Sequence, residues 1–90
     1  MDLRQYVANR IKGFRIKRGM NQEELALKLD TTKQAVSRYE KGDRQANQDI
    51  LFQLANVFNV SVDDFFPSDE EKIILKSSVY PFLPTNVAAG

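Results

Sequence analysis

The stretch from Asn21 to Arg44, NQEELALKLDTTKQAVSRYEKGDR, decides the fold. Its first half reads as a helix opened by Asn21 as N-cap, with Glu24 three residues on; together they satisfy backbone N–H groups that a first turn leaves without partners. Leu25 and Leu29 fall on one face with Ala26 between them, and a small Ala there lets a second helix cross closely. The polar run Asp30, Thr31, Thr32 breaks the apolar period, and Thr31 or Thr32 caps a second helix beginning near Lys33. Val36 and Tyr39 turn this helix inward. Lys33, Gln34, Ser37 and Arg38 therefore share its outer side, as donors and acceptors suited to base edges in a major groove. Found alone, such a set is usually just the solvated face of an amphipathic helix. Gly42 lets the chain leave the helix.

The segments RIKGFRIKRGMNQEELALKL (from Arg10), TTKQAVSRYEKG (from Thr31) and LFQLANVFNVSVDDFF (from Leu51) agree in order and spacing with one another. Over about residues 10–66 the chain resembles the helix-turn-helix domains of the phage lambda repressor and Cro type, the XRE family. The resemblance implies a compact all-α, five-helix fold whose third helix lies in the major groove, with a homodimer meeting two half-sites about one helical turn apart. It implies base contacts from Lys33, Gln34, Ser37 and Arg38. Asn21, Gln22, Lys41 and Arg44 would hold the DNA backbone, with Gln22 also orienting Gln34, although Gln22 equally reads as part of a helix start. Arg15 and Glu40 match a family ion pair that ties the first helix to the end of the third; the bland alternative is two solvated charges. Two departures stand out: Asp30 occupies a turn position that often holds Gly, and Gln45-Ala46 replaces the usual Pro. Asp tolerates a left-handed conformation better than most residues.

Outward from the motif, Leu3, Val7, Ile11 and Phe14 recur at helical spacing, predicting a first helix over about residues 2–18 that Gly19 ends. Asn47 caps a fourth helix to Phe58 with Ile50, Leu51, Leu54, Ala55 and Phe58 on its apolar face. Ser61 to Asp64 starts a last short helix carrying Phe65 and Phe66, which read as core. In the family this region helps form the dimer, so an exposed edge at Phe66 is an interface candidate. These elements define a domain over residues 1–66. Residues 67–90 form a linker or extended tail, with a helical turn or two in residues 68–76, then two prolines and an apolar set including Val79, Tyr80, Phe82 and Leu83. The ending Ala89-Gly90 resembles the segment leading to the cleavage point of LexA-like self-cleaving phage repressors, which would place a catalytic domain beyond it.

Composition narrows the remaining classes. The chain has 90 residues with no Cys and no His, which excludes disulfides, thiolate or imidazole metal sites and His-based catalytic triads. No cofactor motif or paired catalytic carboxylates occur, so the chain does not read as an enzyme, and no cofactor is expected. The acidic clusters Asp63-Asp64 and Asp69-Glu70-Glu71 sit near expected helix starts, where the dipole favours them. No apolar run approaches the ~20 residues that span a bilayer, and no signal peptide is present, so the expectation is a cytoplasmic protein without membrane contact. Residues 1–44 hold 11 Lys and Arg against 6 Asp and Glu, a net of +5, whereas residues 45–90 hold 2 against 6, a net of −4. A phosphate-facing surface needs that asymmetry, because Lys and Arg contacts displace counterions.

The sequence thus predicts a prophage-type repressor that binds double-stranded DNA at a palindromic operator as a dimer, with an antirepressor or other protein as a further partner. The alternative is an interaction module such as an antitoxin, whose helical core and apolar tail capture a protein.

Overall fold

The computed structural model describes residues 2–68, which form four α-helices and one 3₁₀ turn: α1 Leu3–Lys17, α2 Gln22–Lys28, α3 Lys33–Lys41, α4 Gln48–Phe58 and the turn Val62–Phe65. The expected all-helical architecture is present. The expected fifth helix is a single 3₁₀ turn, because only four residues separate Ser61 from the extended backbone at Phe66. The expected extended tail, the helical turns in residues 68–76 and the Ala89-Gly90 ending lie outside the described residues, except for Pro67 and Ser68.

Each helix begins and ends with the same pair of devices. Asp2, Asn21, Thr32 and Asn47 are N-caps whose side-chain oxygens accept from the backbone N–H of Gln5, Glu24, Ala35 and Ile50 at 2.7–3.1 Å. Asn21 and Glu24 complete a capping box, with Asn21 N donating to Glu24 Oε1 at 2.8 Å. At the other ends Gly19, Asp30, Gly42 and Asn59 adopt φ values of 71°, 55°, 80° and 58°. The next residue reaches back five positions in each case: Met20 N to Arg15 O, Thr31 N to Ala26 O, Asp43 N to Arg38 O and Val60 N to Ala55 O, at 2.9–3.1 Å. This hydrogen bond closes orphan carbonyls of the last turn. Asp30 thus takes the left-handed conformation that its position in the turn demands, as a residue other than Gly. The boundary residues Asp2 and Arg18, expected inside the first helix, are its caps.

The core lies where the four helices and the 3₁₀ turn converge. Ile11, Leu25, Val36, Leu54, Phe58 and Phe65 are fully buried. Three rings cluster there: Phe14 stacks edge-on against Phe65 at 5.4 Å and lies 5.8 Å from Phe58, which is 6.4 Å from Phe65. Arg18 and Arg10 close this layer from α1, Arg18 Nη2 donating to Phe58 O at 2.6 Å and Arg10 Nε to Asp64 O at 2.9 Å. The α1 stripe differs from the expected one in one place. Leu3 is 51% exposed, and Ala8 is buried instead, because α3 approaches α1 closely enough that only a small side chain fits between them. Phe66 is half-buried against the core rather than an open edge.

Phe58→Ala is expected to lose about 3–5 kcal/mol of unfolding free energy, since it removes a ring from a closed cluster and leaves a cavity. Phe52→Ala, half-exposed on the same helix, is expected to change stability by less than about 1 kcal/mol. Urea unfolding followed by circular dichroism measures both, and equal losses would contradict this placement of the core.

Candidate nucleic-acid interface

The outer side of α3 is set by its inner side. Ala35, Val36, Tyr39 and Glu40 are buried, which by helical geometry turns Lys33, Gln34 and Arg38 to solvent and leaves Ser37 half-exposed. Among the described residues the side chains of Lys33, Gln34, Ser37 and Arg38 make no intramolecular hydrogen bond or ion pair. Their donors and acceptors are therefore available to a ligand. Lys41 is exposed at the last turn. Beyond it Gly42 turns the chain, and a Cβ there would stand 3.0 Å from Gln5 Oε1, so the positive φ and the close approach of α1 both favour glycine. Asp43 N and Arg44 N then donate to Arg38 O at 3.0 and 3.3 Å, which folds Arg44 back over the helix end. Its guanidinium carbon lies 5.5 Å from the centre of the Tyr39 ring.

Beside this face lies a buried polar network. Arg15 Nε donates to Glu40 Oε2 at 2.6 Å and Nη2 to Oε1 at 3.2 Å, a bidentate pair whose side chains are 11% and 2% exposed. Arg15 Nη1 also donates to Met20 O at 2.8 Å, and Gln22 Nε2 to Glu40 Oε1 at 3.1 Å. The carboxylate therefore receives donors from both α1 and α2 while sitting on α3.

The structure brings Arg15, Gln22 and Glu40 together beside the open side of α3, which carries Lys33, Gln34, Ser37 and Arg38. Gln22 faces Glu40 rather than Gln34, with which it makes no hydrogen bond. The oxygen of Asn21 is engaged in its own cap, so its amide hydrogens are what it has to offer a phosphate. Sequence reasoning did not find Tyr39 beneath Arg44; an aromatic five residues before an Arg across a helix end is the signal that was there to read.

With this geometry in place, the profile of the family described as Helix-turn-helix matches residues 11–65. The chain belongs to that helix-turn-helix family. Among relatives in the family, an HTH-type transcriptional regulator of Archaeoglobus fulgidus is 38% identical over 64 residues, covering 71% of this chain and 91% of the relative. Two solved structures share the fold at lower identity. The P22 c2 repressor, determined in complex with a synthetic operator, is 23% identical with a TM-score of 0.65, the match covering 77% of this chain and all of that one. Hydroxypropylphosphonic acid epoxidase from S. wedmorenis is 24% identical with a TM-score of 0.68, over 74% of this chain but only 36% of the enzyme. A fold shared by a repressor and part of an epoxidase leaves function to be argued from the exposed side chains. No helix among the described residues is long and apolar enough to cross a membrane.

Arg15→Ala is expected to cost about 3–5 kcal/mol, because it leaves the Glu40 carboxylate buried without its cation. Replacing both partners by apolar residues, Arg15→Met with Glu40→Leu, is expected to recover most of that loss, and denaturant unfolding of the single and double variants gives the comparison. A single variant as stable as the parent would show that the pair is not held in the interior.

Proposed function

We propose that this protein is a sequence-specific transcriptional repressor of prophage type, whose domain over residues 1–66 binds double-stranded DNA with α3 in the major groove. The observation that carries the reading is the open, unbonded set Lys33, Gln34, Ser37 and Arg38 on one side of α3. In this reading Gln34 pairs with adenine and Lys33 and Arg38 with guanine, the pairings their donor and acceptor geometry favours, while Ser37 serves either. Lys41 and Arg44, at the end of the same helix, hold phosphates together with Asn21. Gln22, with one N–H donated to Glu40, sets the angle between α2 and α3 and presents its remaining N–H to a phosphate oxygen of the DNA backbone. A palindromic operator bound by a homodimer follows from the need to place two such helices in successive major grooves on one face of the duplex.

Family membership and a regulator relative matched over 91% of its own length support this reading. The charge division supports it as well, since the half carrying α1 to α3 is the basic half.

Selection of bound duplexes from a random pool is expected to return inverted half-sites about 10 base pairs apart; sites without symmetry would overturn the dimer. Gln34→Ala is expected to lose about 1–3 kcal/mol of preference for the selected site while binding random duplex nearly as before. Lys41→Ala is expected to weaken binding to all duplexes alike and to lower the slope of log affinity against log salt by about one. Mobility shifts at several salt concentrations measure both, and an unchanged slope would mean that Lys41 does not touch phosphate.

A further inference from the structure

Away from the face of α3 that presents Gln34, a groove of about 550 Å³ opens between the start of α1, the segment after α3 and the end of the 3₁₀ turn. Its floor is apolar, with Leu3, Val7, Leu51 and Phe66 among its walls. Leu3 continues the stripe of Val7 and Ile11 but is 51% exposed, so among the described residues the stripe is left partly uncovered at this point. Arg4 and Arg44 both line the groove, and neither has a carboxylate partner among the described residues. Asp2, an acid in the same lining, is already turned to the N–H of Gln5 as the α1 cap.

A second, independent feature lies in the wall. Tyr39 is 6% exposed and lines the groove, and its hydroxyl has no hydrogen-bond partner among the described residues. A buried phenol normally finds one. An apolar cleft of this size, with two guanidinium groups and one unsatisfied hydroxyl, has the make-up of a small-molecule site, in which a few polar groups orient a mostly apolar ligand.

We propose that this groove binds an amphipathic carboxylate, its apolar body on Leu3, Val7 and Phe66 and its carboxylate accepting hydrogen bonds from Arg4, Arg44 and the Tyr39 hydroxyl. Planar guanidinium groups suit a carboxylate because two parallel N–H donors match its two oxygens. Binding withdraws Arg44 from phosphate, so the ligand weakens DNA binding. That consequence rests on the role given to Arg44 above; occupancy of the groove does not.

The full chain is titrated with 4-phenylbutyrate, and separately with 4-phenyl-1-butanol, following backbone amide shifts by NMR. The acid is expected to shift Leu3, Val7, Tyr39 and Phe66 saturably below about 10 mM, as its size allows. Arg4→Gln, Arg44→Gln and Tyr39→Phe are each expected to weaken it at least about threefold, with the alcohol far weaker than the acid throughout. The site is overturned if the alcohol binds as well as the acid, if all three variants bind unchanged, or if no saturable shift falls on these residues, as when the chain's own later residues fill the groove. The effect on DNA is read in the same samples with a random-sequence duplex at low salt. If Arg44→Gln lowers the salt slope but the bound acid leaves affinity unchanged, release by the ligand is wrong and the phosphate role of Arg44 stands. If Arg44→Gln leaves the slope unchanged, the phosphate role itself fails, whatever the groove binds.

Discussion

The Glu40 carboxylate is the point on which the arrangement of the first three helices turns. It is buried on α3 and takes donors from Arg15 on α1 and Gln22 on α2. A charge in that position is tolerable only while every donor stays in place, because an unpaired buried ion is far costlier than a surface one. The penalty therefore acts on geometry: a rotation of α2, or a slide of α1, breaks hydrogen bonds around a group that water cannot reach. Apolar contacts between Leu25, Val36 and Ile11 supply cohesion without direction. The bidentate Arg15 fork supplies the direction, and it holds the flank of the helix face that is free of internal partners.

That placement explains how so small a core holds a rigid reading surface. The inner side of α3 is fully committed, to Val36 and Tyr39 in the apolar layer and to Glu40 in the polar one. What remains on the outer side has no internal work to do. Tyr39 spans both regions, with its ring against the core and beneath Arg44, so that the end of α3 and the loop after it are organised by one side chain.

Much of this was readable from residue order. The starts of α2, α3 and α4 follow from Asn21, Thr32 and Asn47, whose short polar side chains have their partners three residues on. Gly19 and Gly42 announce helix ends because a positive φ costs them nothing. Asn59 does the same at the end of α4 but without the signature of glycine, so residue order does not announce it. The burial of Ala8 in place of Leu3 depends on how closely α3 approaches α1, a distance that apolar periodicity does not encode, and the last helix stops at a 3₁₀ turn because the backbone is already extended at Phe66. For the interface, periodicity was enough to sort α3 into inner and outer sides. It could not say that Gln22 reaches Glu40 or that Arg44 lies over Tyr39, since both contacts arise only when separate elements pack.

The matched starts and stops of the four helices bear on how the chain reaches this state. At each helix start a cap side chain meets an N–H three residues on, and after each helix a carbonyl of the last turn is met by an N–H five residues along the chain. Little of the hydrogen bonding waits on distant partners, and a topology dominated by neighbours in sequence closes small loops before large ones. Such a chain belongs with the rapid folders, on the order of microseconds to milliseconds. The late step is then the meeting of the first helix with the end of α4 and the 3₁₀ turn, where Arg18 must find Phe58 O 40 positions away and Arg10 must find Asp64 O 54 positions away.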